Sequence, residues 1–138
     1  MIRLLEANGL SKSFGGLKAV NQLDFHLERG EILGLIGPNG SGKTTLFNLV
    51  AGVFKPDSGK ISFEGKDITR AGSASICQMG IGRTFQITRP FPRLTVLDNV
   101  KLGRAYGGQP AKTLEQAQAE AEEILRAATL KRKRERGA

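Results

Sequence analysis

The nine residues Gly37-Pro38-Asn39-Gly40-Ser41-Gly42-Lys43-Thr44-Thr45 constrain this chain more than any others. They fit G-x-x-x-x-G-K-[ST], a loop whose backbone N–H groups wrap phosphate oxygens. The pattern needs a strand before it and a helix after it, and the flanks supply both. Glu31-Ile32-Leu33-Gly34-Leu35-Ile36 is a short apolar run of the kind that makes a buried parallel strand. Thr45 to Ala51 reads as a helix ending at Gly52. Glycines let the backbone close on phosphate with no Cβ in the way, and the helix N-terminus adds its positive end. In such a loop Lys43 reaches the β- and γ-phosphates and the Thr44 hydroxyl ligates Mg²⁺.

The 138 residues suffice for one ordinary domain and its core. No apolar run approaches the roughly 18 residues of a membrane span. No long apolar stretch follows the charge near Met1, as a signal peptide requires. The single cysteine, Cys77, excludes an internal disulfide, a redox pair and a cysteine-type zinc site. It reads as a small half-buried residue in a reducing compartment.

The net charge of +8 is unevenly spread. Residues 131–138 carry five Lys or Arg against one Glu, and Arg83, Arg89, Arg93, Lys101 and Arg104 face only Asp98 between residues 80 and 106. Such charge suits nucleic acid or an anionic membrane surface, but a terminal run of this size is more simply a solvated tail. Nucleic-acid binding is accordingly the disfavoured reading.

Along the chain, Leu4–Ala7 and Leu23–Leu27 read as short strands, with a turn at Phe14-Gly15-Gly16 between them. Arg29-Gly30 turns into the strand that feeds the loop. Lys60–Glu64, Gly65-Lys66 and Asp67-Ile68 read as a hairpin. Ser73–Gln78 allows one or two helical turns, Ile81–Gln86 a strand, and Pro90 and Pro92 forbid regular structure. Thr95 reads as an N-cap with Asp98 three residues on, opening a helix to about Tyr106. A long helix follows from about Ala111, with apolar positions Leu114, Ala117, Ala121, Ile124, Leu125 and Ala128 at helical spacing.

The loop, Phe14 upstream and Gly82-Arg83-Thr84-Phe85-Gln86 downstream together resemble the ATP-binding subunit of ABC transporters. Phe14-Gly15-Gly16-Leu17-Lys18-Ala19-Val20 and the stretch Pro90 to Val100 narrow the resemblance to the branched-chain amino acid importer group. The resemblance implies an α/β P-loop NTPase fold, the ABC-type nucleotide-binding domain, with an N-terminal antiparallel β subdomain. It implies ATP and Mg²⁺ as ligands. Phe14 then resembles the aromatic that stacks on adenine, a platform that suits any base because every base has a π-face. Val20 falls beside it in the base-binding set. Gln86 resembles the glutamine that touches Mg²⁺ and the attacking water, and an amide can do both without adding charge. The implied catalytic pair is Lys43 and Gln86, and the implied metal ligands are Thr44 and Gln86. The implied partners are membrane permease subunits facing Arg89 to Val100, a second ATP-binding subunit and, indirectly, a periplasmic binding protein. The implied location is cytoplasmic, on the inner face of the membrane.

The family's second half holds a signature motif, an acidic strand end for Mg²⁺, a catalytic glutamate and a switch histidine, and these residues match none of them. His26 stands on the strand before the loop, in the wrong place for the switch. The expectation is therefore an incomplete domain at residues 1–130, followed by a disordered basic tail at 131–138. Such a chain holds ATP without a base to cleave it, and its sheet leaves an apolar edge open. The alternative is a non-enzymatic ATP-binding fragment. A guanine-reading N-K-x-D pattern is absent, and a small-molecule kinase is disfavoured by the Gln86 segment.

Overall fold

The computed structural model describes residues 3–136, with the side chains of residues 130–136 outside the description. The chain forms two compact units that divide at Ile76/Cys77, within the short helix at residues 73–78.

The first unit is built on two long strands, β1 (Arg3–Phe14) and β2 (Leu17–Glu28), joined by the expected turn at Gly15-Gly16. Both run far beyond the short strands expected, because irregularities in the β1–β2 pairing near Gly9 and Lys12 let the ladder absorb extra residues. The phosphate loop follows, then α1 (Lys43–Val50), β3 (Ser58–Phe63), the two-residue β4 (Lys66–Asp67) and α2 (Ser73–Gln78). The sheet is antiparallel throughout in the order β2-β1-β3-β4. Ala7, Leu10, Val20, Leu46, Leu49, Ile61, Ile68 and Ile76 form its buried core.

The buried parallel strand expected at Glu31–Ile36 does not form. The segment is irregular, Ile32 and Ile36 are 96% and 97% exposed, and no described strand pairs with it. An apolar run does not make a parallel strand by itself, since such a strand exists only where a crossover delivers a neighbour alongside it. The strand expected at Ile81–Gln86 is likewise irregular.

The second unit contains α3 (Val96–Tyr106) and α4 (Leu114–Arg136). Thr95 caps α3 as expected: its hydroxyl accepts from the Asp98 N–H at 3.1 Å and donates to the Asp98 carboxylate at 2.7 Å. Ala117 and Ala121 are the face of α4 that is fully buried, whereas Leu114 and Ile124 are mostly exposed. Small side chains allow close helix approach, so spacing alone over-assigned the larger ones. Arg104 on α3 pairs with Glu120 on α4 and donates to the Gln109 carbonyl, and the pair holds the Glu120 carboxyl below its ordinary range. Residues 131–136, expected as a disordered tail, continue α4, and 137–138 lie outside the described residues. Cys77 is exposed rather than half-buried. No helix among the described residues is long and apolar enough to cross a membrane.

Candidate functional site, a phosphate loop beside an aromatic hairpin end

The loop is shaped by two close approaches. Gly42, the N-cap of α1, has φ of +93°, and a Cβ there would sit 2.1 Å from the Ala19 carbonyl oxygen of β2. Only glycine permits both the left-handed backbone and that proximity. A Cβ on Gly37 would lie 2.7 Å from the Ser41 hydroxyl, so the first glycine lets the loop close on itself. The turn is fixed by Ser41 N–H donating to the Pro38 carbonyl at 3.2 Å.

Lys43 folds over this turn. Its Nζ donates to the carbonyls of Gly37 and of Pro38, the latter at 2.7 Å, and to the Ser41 hydroxyl at 3.3 Å. The ammonium is thereby held above the loop. No side chain caps the start of α1, and no acid occupies its first turn. Its first N–H groups and dipole end are therefore left for an external anion. Pro38, Asn39, Gly40 and Ser41 are exposed, as is Thr44, whereas Thr45 is half-buried. A glycine-lined turn, an ammonium and an exposed hydroxyl are a donor set that fits a Mg²⁺-bound polyphosphate.

The hairpin end of β1 and β2 reaches the same place. Val20 is 7% exposed, and its side chain lies beside Gly42. Val20 pairs with Lys12, and Phe14 pairs with Leu17 at the tip. The Phe14 ring is 43% exposed, edge-on to Phe54 at 5.2 Å, with the Lys12 ammonium 5.5 Å from its centroid. Asp57 anchors this end. Its carboxylate accepts from Ser13 N–H at 2.6 Å and Lys12 Nζ at 3.2 Å, which hold it below the usual carboxylate range. Nothing local in the sequence marks Asp57, because its bond is to a strand more than forty residues earlier.

Gln86 belongs to the second unit. It lies at an exposed bend directly after Phe85, whose ring carries Arg83 at 4.7 Å and Arg89 at 5.4 Å. The first unit thus sets Val20 of β2 against Gly42 of the loop, with Phe14 at the tip of the same hairpin.

An uncapped, glycine-lined cradle under a lysine, at the start of a helix, is the arrangement of a P-loop chain. The ABC transporter family model matches residues 20–138, and this chain belongs to that family. It is 48% identical over 107 residues to a protein of Archaeoglobus fulgidus named a probable branched-chain amino acid transport ATP-binding protein, covering 77% of this chain and 42% of that one. It is 41% identical over 134 residues to the high-affinity branched-chain amino acid transport ATP-binding protein of Escherichia coli K12, covering 91% and 52%. Among solved structures, a nucleotide-free ATP-binding cassette from an ABC transporter superposes with a TM-score of 0.72 at 33% identity, covering 91% of this chain and 52% of that one. The chain spans about half the length of the relatives it matches.

Proposed function

We propose that this chain binds Mg·ATP as the ATP-binding component of an importer for branched-chain amino acids. The observation that carries this is the Gly37–Thr45 cradle with Lys43 held over it and no side chain capping α1. Phe14 supplies the base platform and Val20 its apolar floor. The Thr44 hydroxyl would ligate Mg²⁺ with a nucleotide bound, and the metal would supply neutralisation of phosphate charge. The family resemblance gives Gln86 the role of a metal-side group as well. The names carried by the similar proteins support the importer and its cargo class. In this reading Arg89 to Val100 faces membrane permease subunits, a second ATP-binding subunit completes the assembly, and a periplasmic binding protein acts indirectly. The chain then lies against the inner face of the membrane. The step proposed for these residues is binding, which is what the Gly37–Thr45 cradle supports.

The test is Mg·ATP binding by isothermal titration calorimetry with the Lys43→Ala variant. Losing the ammonium from a charge-assisted phosphate contact is expected to weaken binding by about 2 kcal/mol or more. Equal affinity in both proteins would remove the cradle from the proposal. ATP turnover lost on Lys43→Ala would instead assign cleavage to these residues.

A further inference from the structure

Asn99 sits one turn into α3, half-buried, and its carboxamide reaches back to the segment before the helix. Oδ1 accepts from the Phe91 N–H at 2.8 Å, and Nδ2 donates to the Phe91 carbonyl at 3.2 Å. One side chain thus satisfies both backbone groups of Phe91, as a neighbouring strand would. Nδ2 is also within reach of the carbonyls of Leu94 at 3.3 Å and Thr95 at 2.9 Å. Only a primary amide accepts and donates from one short planar group. The segment it holds is a turn closed by Leu94 N–H to the Phe91 carbonyl at 3.1 Å, with Pro92 at the position where its fixed φ is favoured.

The residues displayed by this clasp are apolar and in solvent: Phe91 is 61% exposed, Leu94 41% and Val96 70%. Arg89 and Arg93 are exposed on the same stretch. Its one acid, Asp98, is engaged by Lys101 at 2.9 Å and by Thr95. An apolar knob with an unbalanced positive rim is complementary to an apolar surface that carries carboxylates.

We propose that Asn99 is the positioning residue of this docking face, holding the Phe91–Leu94 turn in its bound shape for a carboxylate-bearing apolar segment of the membrane permease. The proposal rests on the reading that Arg89 to Val100 meets the permease. A turn ordered beforehand is not ordered at the expense of binding, so loosening it weakens association without altering the contact atoms.

The experiment measures affinity of the full chain for detergent-solubilised permease subunits of a branched-chain amino acid importer, alongside Mg·ATP affinity and amide exchange. Asn99→Asp keeps the acceptor and turns the donor into a second acceptor facing three carbonyls. Its permease affinity is expected to fall about tenfold, a loss of one immobilised segment's ordering. Exchange at the Phe91 amide accelerates, and Mg·ATP affinity stays within twofold. Phe91→Asp also weakens docking, and in that background Asn99→Asp adds little. Docking lost with Phe91→Asp but kept with Asn99→Asp overturns the positioning role and leaves the docking reading standing. Docking kept in both variants overturns the docking reading and this proposal with it. Loss of Mg·ATP binding or of the sheet's exchange protection in Asn99→Asp makes the residue a general fold element and overturns the proposal. A Phe91-dependent dimer of the chain alone overturns the choice of occupant.

Discussion

Replacing Gly42 by alanine separates the two reasons for a glycine in the phosphate loop. At φ of +93° an L-residue costs about 1–2 kcal/mol on the backbone alone. The added Cβ would start 2.1 Å from the Ala19 carbonyl oxygen, so the start of α1 and β2 must part by about an ångström to reach ordinary contact. That parting loosens packing at Val20 and Leu46, which are 7% and 8% exposed. Forced shifts of this kind in packed regions cost about 1–3 kcal/mol, for a total of about 3 kcal/mol or more. Gly40 supplies the control. Its φ is +81°, but open space surrounds its would-be Cβ, so Gly40→Ala carries only the backbone part. Urea titrations without nucleotide, followed by far-UV circular dichroism, measure both variants against the parent. Gly42→Ala is expected to lose about 2 kcal/mol more than Gly40→Ala, taken from that packing range. Equal losses would show that the approach of β2 to the loop contributes nothing, and the account of the site would fail with it.

Two further expectations follow from the same unit. The Ser13 N–H and Lys12 hold the folded Asp57 carboxyl below its unfolded range, so the stability it contributes is present above about pH 4 and disappears as pH falls through the folded value. Stability profiles of the parent and Asp57→Asn should therefore differ near neutrality and converge in acid; parallel profiles would refute the anchor. Ile36 is 97% exposed, so Ile36→Lys should leave the melting transition within about 0.5 kcal/mol while reducing self-association in light scattering, as for an ordinary surface change. A large destabilisation would mean that the side chain is buried.

Legibility in the sequence tracked the range of the interaction. The glycine pattern and the Thr95–Asp98 cap are written within a few residues, and both formed where expected. The hairpins were legible as pairings but not in length, because a ladder's extent depends on bulges that no local rule sets. Glu31–Ile36 carried a strand's composition without a strand's partner, and hydrogen-bonded pairing is not a property of one segment. The roles of Asp57 and Asn99 were invisible for a related reason. Each is an ordinary polar residue whose meaning lies in which backbone groups it reaches, Ser13 in one case and Phe91 in the other. A buried helix face made of Ala117 and Ala121 rather than Leu114 and Ile124 marks the same limit, since periodicity counts positions and not the gap to be filled.

The contact between Gly42 and the Ala19 carbonyl joins two parts of the first unit that otherwise have separate tasks. One ends in the ring of Phe14, the other in the turn under Lys43. Strand and loop meet there backbone to backbone, with no side chain between them to flex. A displacement of the loop is therefore passed to β2 directly, and the two move as one piece rather than as a hinge.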